Sequence, residues 1–183
     1  MSGPQSGFYD AGAIKQIAIN LFYGWGYNFY REENQLRADD LMVRAKVGWL
    51  LGAARASVET AESAYRREFL LPPTREKPRP DPAAMAGSQA LEALSRAIGA
   101  LEGQIRAQPV PENDRMMQRY REEAATLQKL IESDQLLVGR ADLLRTLLDL
   151  KSGTWIAENA GAINEGLWAI GEALRQRQTI LIG

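Results

Sequence analysis

Between Glu112 and Lys151 the apolar residues fall at Met116, Tyr120, Ala124, Leu127, Ile131, Leu137 or Val138, Ala141, Leu144 and Leu148. Most of the steps are of three or four, which lays one stripe along a helix. Proline is absent from the run, and Gly139 is its only glycine. A helix rises about 1.5 Å per residue, so this one approaches roughly 60 Å. A rod of that size cannot bury its stripe against itself. It requires companion helices.

The rest of the chain supplies them. Residues 9–30 read as a first helix with Asp10 as N-cap. Ile14, Ile17, Ala18, Leu21, Phe22, Trp25 and Phe29 share one face, and Tyr23, Tyr27 and Tyr30 form a flanking stripe. Gly24 and Gly26 surround Trp25, and the helix either kinks or stops there. Residues 35–70 read as a long second helix on the period of Leu36, Val43, Val47, Leu50, Leu51, Ala54, Val58, Ala61, Tyr65 and Phe69. Pro72 and Pro73 end it. The stretch 72–82, PPTREKPRPDP, is a proline-rich linker.

Residues 83–107 form a third helix, with Leu91, Leu94, Ile98, Leu101 and Ile105 stepping three, four, three and four. That is the seam of a coiled coil. Pro109-Val-Pro111 makes a tight connection to the long central helix. Ser152 and Gly153 form a stop and a cap. A last helix over 154–178 places Ile156, Ala160, Ile163, Leu167, Ile170 and Leu174 on one seam. The tail Thr179–Gly183 is apolar and β-prone. The expected fold is all-α: an antiparallel bundle of four to five long helices in one domain over 1–183. An N-terminal helical hairpin (9–71) docks on a three-helix unit (83–178), because short links imply antiparallel neighbours.

Composition removes most chemistry. There is no histidine and no cysteine. Disulfides, zinc sites with Cys or His ligands, cysteine nucleophiles, His-based triads and His-ligated haem are therefore excluded. No cofactor is expected. The net charge of -1 gives no field toward nucleic acid. Lys15, Gln16, Asn20 and Asn28 interrupt the apolar stretch 11–30, so no membrane span is expected. Met1–Gly7 has no basic and apolar signal pattern, and a cytoplasmic location follows as the default.

The aromatic group Phe22, Tyr23, Trp25, Tyr27, Phe29 and Tyr30 is the candidate ligand-binding surface; packing at the end of the core is the competing reading. Glu59 and Glu62 share one helix face and are the candidate Mg²⁺ ligands. Helical nucleotide hydrolases add a second acidic set to such a pair. The nearest acids here, Glu122, Glu123, Glu132 and Asp134, do not repeat that spacing. A solvated face beside Arg55, Arg66 and Arg67 is the competing reading. Gly48 and Gly52, like Gly99 and Gly103, stand four apart and predict close helix packing or a dimer contact. Asp134 falls near the central stripe and needs a partner, most simply an arginine. Arg37, Asp39, Asp40 and Arg44 read as surface bridges, and Glu158, Glu165 and Glu172 as a solvated line.

The function expected from these residues is non-enzymatic: protein–protein interaction or assembly, with self-association as a homodimer. The alternative is a bundle that binds a small apolar or aromatic ligand on the first helix. The third is a carboxylate- and Mg²⁺-dependent nucleotide hydrolase.

Overall fold

The computed structural model describes residues 6–25, 36–108 and 124–182. Among them are a 3-10 turn, Ser6–Tyr9, and six helices: α1 Ala11–Gly24, α2 Leu36–Phe69, α3 Pro82–Arg106, α4 Ala124–Leu148, α5 Gly153–Glu158 and α6 Ala160–Ile182. No strand occurs among the described residues, and the expected all-α bundle is present.

The four long helices alternate up and down. Ser88 and Ser95 of α3 bond Glu62 and Glu59 of α2, while Gln108 at the far end of α3 meets Arg44 near the start of α2. Ser133 and Arg140 of α4 reach the carbonyls of Ala173 and Ala169 in α6. Helix α2 lies between α3 and α4, and α6 lies between the same two on the opposite side. The α3 seam Leu91, Leu94, Ile98, Leu101 and Ile105 is buried throughout. It meets Val47, Leu51, Ala54 and Val58 of α2 and Ile163 and Ile170 of α6 in one core. Each such side chain contributes roughly 1.5–3 kcal/mol when fully buried.

Helix α1 starts where Asp10 accepts a hydrogen bond from the Ala13 amide at 3.0 Å, satisfying a donor that the first turn leaves open. It stops at Gly24, and the Trp25 amide closes the last turn on the Leu21 and Phe22 carbonyls. Positions 26–30, including Tyr27, Phe29 and Tyr30, lie outside the described residues. Ile14, Ala18 and Phe22 face inward at every fourth position, and α1 rests on α4. The approach is close because position 139 carries no side chain. A Cβ there would lie 2.2 Å from the Ile14 carbonyl oxygen. The 3-10 turn sinks Phe8 into the core over Gly166, where a Cβ would come within 2.6 Å of its ring.

Helix α3 begins one residue into the expected linker. Asp81 caps it, and Pro82 occupies the first turn, where its missing N–H costs nothing. The central helix is described from Ala124, so Met116, Tyr120 and Pro109-Val-Pro111 lie outside the described residues. Its expected stripe is buried at Leu137, Val138, Ala141, Leu144 and Leu148 and differs only at its start, where Leu130 is buried and Ile131 half-buried.

Three local expectations are corrected. The last helix is broken: Asn159 interrupts it between α5 and α6, its side-chain amide donating to the Trp155 carbonyl at 2.8 Å. A short polar side chain that bonds the local backbone weakens helical geometry. The Asn159 and Ile163 amides still bond four residues back, so the break is shallow. The tail continues α6 as helix to Ile182 instead of forming a β-like segment. Finally, Gly153 does not end the central helix. Ser152 caps α5 through the Trp155 amide at 3.2 Å, as its type predicts. Gly153 instead admits α2, since a Cβ there would lie 2.7 Å from Tyr65 Cβ and 2.9 Å from the Ala61 carbonyl oxygen.

The left-handed position that follows α4 is taken by Leu150, with φ 54° and a side chain 96% exposed. That conformation costs an L-residue roughly 1–2 kcal/mol. Leu150→Gly is expected to raise stability by about 1 kcal/mol, and the melting temperature by about 2–4 °C. Thermal unfolding followed by circular dichroism checks this; an unchanged or lower midpoint would show that the backbone there is unstrained.

Candidate functional site

The charged residues most unlike surface residues form a chain at one end of the bundle. Asp134 of α4, Arg177 of α6, and Asp40 and Arg44 of α2 are all buried, with Asp134 and Arg177 fully so. Arg177 donates from Nε to Asp134 and places Nη1 2.7 Å from Asp40 Oδ1. Arg44 Nη2 stands 2.7 Å from Asp40 Oδ2, and its Nη1 donates to the Gln108 carbonyl at 2.6 Å. Two carboxylates meet two guanidiniums, so the set is neutral. Burying ions is costly unless each has a partner. Here the partners come from three helices and the end of a fourth, which fixes how those ends meet. Each carboxylate faces a guanidinium, so neither is placed as a free base.

Asp134 thus has the arginine partner its position in the stripe demanded. Asp40 and Arg44, expected on the surface, are interior. The sequence carried that signal. Positions 40, 44, 47, 51, 54, 58 and 61 step four, three, four, three, four and three, and all are buried. Arg177 was missed for the same reason, although it continues the seam of Ile170 and Leu174 by a step of three.

A further buried arginine, Arg140, donates to the Phe8 carbonyl at 3.1 Å and to the Ala169 carbonyl at 2.7 Å. Desolvation lowers its pKa, opposed by Glu172 and Tyr9. Arginine starts so far above neutrality that it stays charged. It ties the 3-10 turn to α6. Of the acids expected to form a solvated line, Glu158 and Glu165 are exposed and Glu172 is half-buried.

The described aromatics of the first helix do not share one wall. Phe22 is in the core and meets Trp25 edge-on, ring centroids 5.4 Å apart. Lys46 of α2 sits 4.0 Å from the Trp25 ring centroid. Tyr23 is 83% exposed.

Glu59 and Glu62 do share a face, in a shallow depression with Glu92, Ser95 and Arg96. Arginines occupy them. Arg55 Nε donates to Glu59 at 2.8 Å, and Arg66 bonds both Glu62 and Glu92. Glu132, weighed as part of a second acidic set, has its pKa lowered by the Gln128 amide and by Lys15. Glu122 and Glu123 lie outside the described residues. No group of three acids among the described residues is placed to hold a metal ion.

The paired glycines do not bring backbones together. A Cβ at Gly48 or Gly103 would meet open space, while Glu102 reaches toward Gly52 and the Arg55 guanidinium lies over Gly99. They line the outer rim between α2 and α3, where side chains, not another helix, use the room.

The feature that sequence reasoning missed is the outer face of α2. Leu41, Ala45, Trp49, Ala53, Ala56 and Thr60 recur in steps of four, four, four, three and four, and none is buried. Trp49 is 60% exposed and Leu41 48%. An open groove of about 560 Å³ lies beside them, walled by Leu41, Trp49, Arg106 and Gln108. A second, of about 450 Å³, runs along Ala56, Thr60 and Ala64 toward Leu150. The signal was an uncharged row on a helix otherwise rich in charge.

No family model, no curated protein and no solved structure matches this chain. No helix among the described residues is long and apolar enough to cross a membrane.

Proposed function

We propose that this chain is a non-enzymatic interaction or assembly protein that associates with itself, as a cytoplasmic homodimer. The observation that carries the reading is the exposure of Trp49 and Leu41 on one face of α2, beside open grooves and over a core already filled. Single exposed apolar residues are ordinary. A tryptophan on an uncharged helix face beside a groove is the composition of an interface centre. The ionic side chains support the same reading: the most deeply buried ones are spent on one another, and Glu59 and Glu62 on arginines.

Sedimentation velocity across a dilution series tests it. The expected result is a concentration-dependent shift from a 20.3 kDa monomer toward a dimer. A monomer at every concentration into the high micromolar range overturns self-association.

A further inference from the structure

We propose that the second copy docks antiparallel on the outer face of α2, about a two-fold axis that crosses the helix near Ser57. Trp49 of each copy then meets the groove lined by Ala64, Tyr65 and Glu68 of the other. The inference rests on the self-association reading and adds the surface and the register.

A two-fold interface must be complementary to itself, each patch meeting its own symmetry mate. With the axis at Ser57, whatever lies before that residue meets what lies equally far after it. Trp49 is the large protruding side chain in the first half. Its mirror position is Tyr65, which with Ala64 and Glu68 lines the groove of about 450 Å³. A protrusion therefore faces a hollow twice, once in each direction.

The charges along the flanks follow the same symmetry. Lys46 and Glu68 stand equally far on either side of Ser57, the basic residue first and the acidic one second. An antiparallel partner thus brings Lys46 against Glu68, while a parallel partner in register would set like against like. Lys46 and Glu68 lie on the same side of the outer face, so the two-fold brings them to one edge. From Leu41 to Thr60 the contacting row carries no charge, and the exposed Arg67 stands at its far end.

Two sets of variants test this on the full-length chain, read by sedimentation velocity with helical circular dichroism as the folding control. Trp49 is exposed, so Trp49→Glu leaves the core intact and is expected to weaken self-association at least about tenfold, the loss of a single interface anchor. Lys46→Glu and Glu68→Lys are each expected to weaken it about threefold or more by setting like charges together. An equimolar mixture of those two is expected to associate as the wild type does, because the heterodimer restores both pairs. Wild-type association by Trp49→Glu overturns the α2 surface while leaving self-association standing. A mixture no tighter than its components overturns the antiparallel register. A wild-type chain that never dimerises overturns this inference together with the reading beneath it.

Discussion

Arg177→Met is expected to cost about 3–5 kcal/mol, the range seen when one partner is removed from a buried ion pair. The melting temperature should fall by roughly 10 °C. Arg177 is fully buried and faces both Asp134 and Asp40. Its removal takes from the buried Asp134 the guanidinium bonded to it. Asp40 is buffered, because Arg44 remains 2.7 Å away. Arg177→Met combined with Asp134→Leu replaces both ends of one link by apolar groups of similar size. It should recover most of the lost stability, since well-packed apolar replacements of a buried pair are often neutral. Adding Asp40→Leu instead should not, because it strands Arg44. Denaturant unfolding of the single and double variants gives the coupling directly. A loss below about 1 kcal/mol for Arg177→Met would mean that the network is solvated and behaves as a surface bridge.

Gly139→Ala is expected to destabilise by about 1–3 kcal/mol, although alanine is the better helix former by about 1 kcal/mol. The new methyl would lie 2.2 Å from the Ile14 carbonyl oxygen and 2.8 Å from its Cγ2. Backbone cannot rotate away as a flexible side chain can. Relief therefore means lifting α1 from α4, and with it Ile14, Ala18 and Phe22 from their buried positions. The Trp25 environment should change as the helix shifts, visible in fluorescence. Gly48→Ala is the matched control. A Cβ there meets nothing within 4 Å, so the helix-propensity term acts alone and the variant should be more stable by about 1 kcal/mol. Equal effects from the two substitutions would contradict the close contact of α1 with α4.

The opposite behaviour of these two glycines shows where sequence reading reaches and where it stops. Periodicity located α2 and α3 to within a few residues, because an apolar seam, with prolines after α2 and at both ends of α3, leaves little choice. Asp10 and Ser152 were legible as caps, since their side chains bond amides within their own turn. Spacing of four made Gly48 and Gly52 look like a packing motif. Whether another helix arrives there is a tertiary matter, and none does. Gly139 stood alone, matched no motif, and carries the closest backbone approach among the described glycines. The ionic chain was half legible. Asp134 announced itself by interrupting a stripe. Asp40, Arg44 and Arg177 sit on seams as well, but a seam traced through apolar residues alone ends before it reaches them. The outer face of α2 was hidden for the converse reason: alanine and threonine look like filler until the structure shows which side of the helix they occupy.

The claim on which the functional account depends is that Trp49 marks the surface where this molecule meets its partner. Hydroxyl-radical footprinting of the intact chain at low and high concentration, with tryptophan oxidation read by mass spectrometry, asks this most directly. Trp49 and Trp168 start at similar exposure, 60% and 57%, so each serves as the other's reference. The account predicts that Trp49 becomes protected as concentration rises while Trp168 keeps its reactivity. Unchanged oxidation of Trp49 at concentrations where the chain is associated would contradict it.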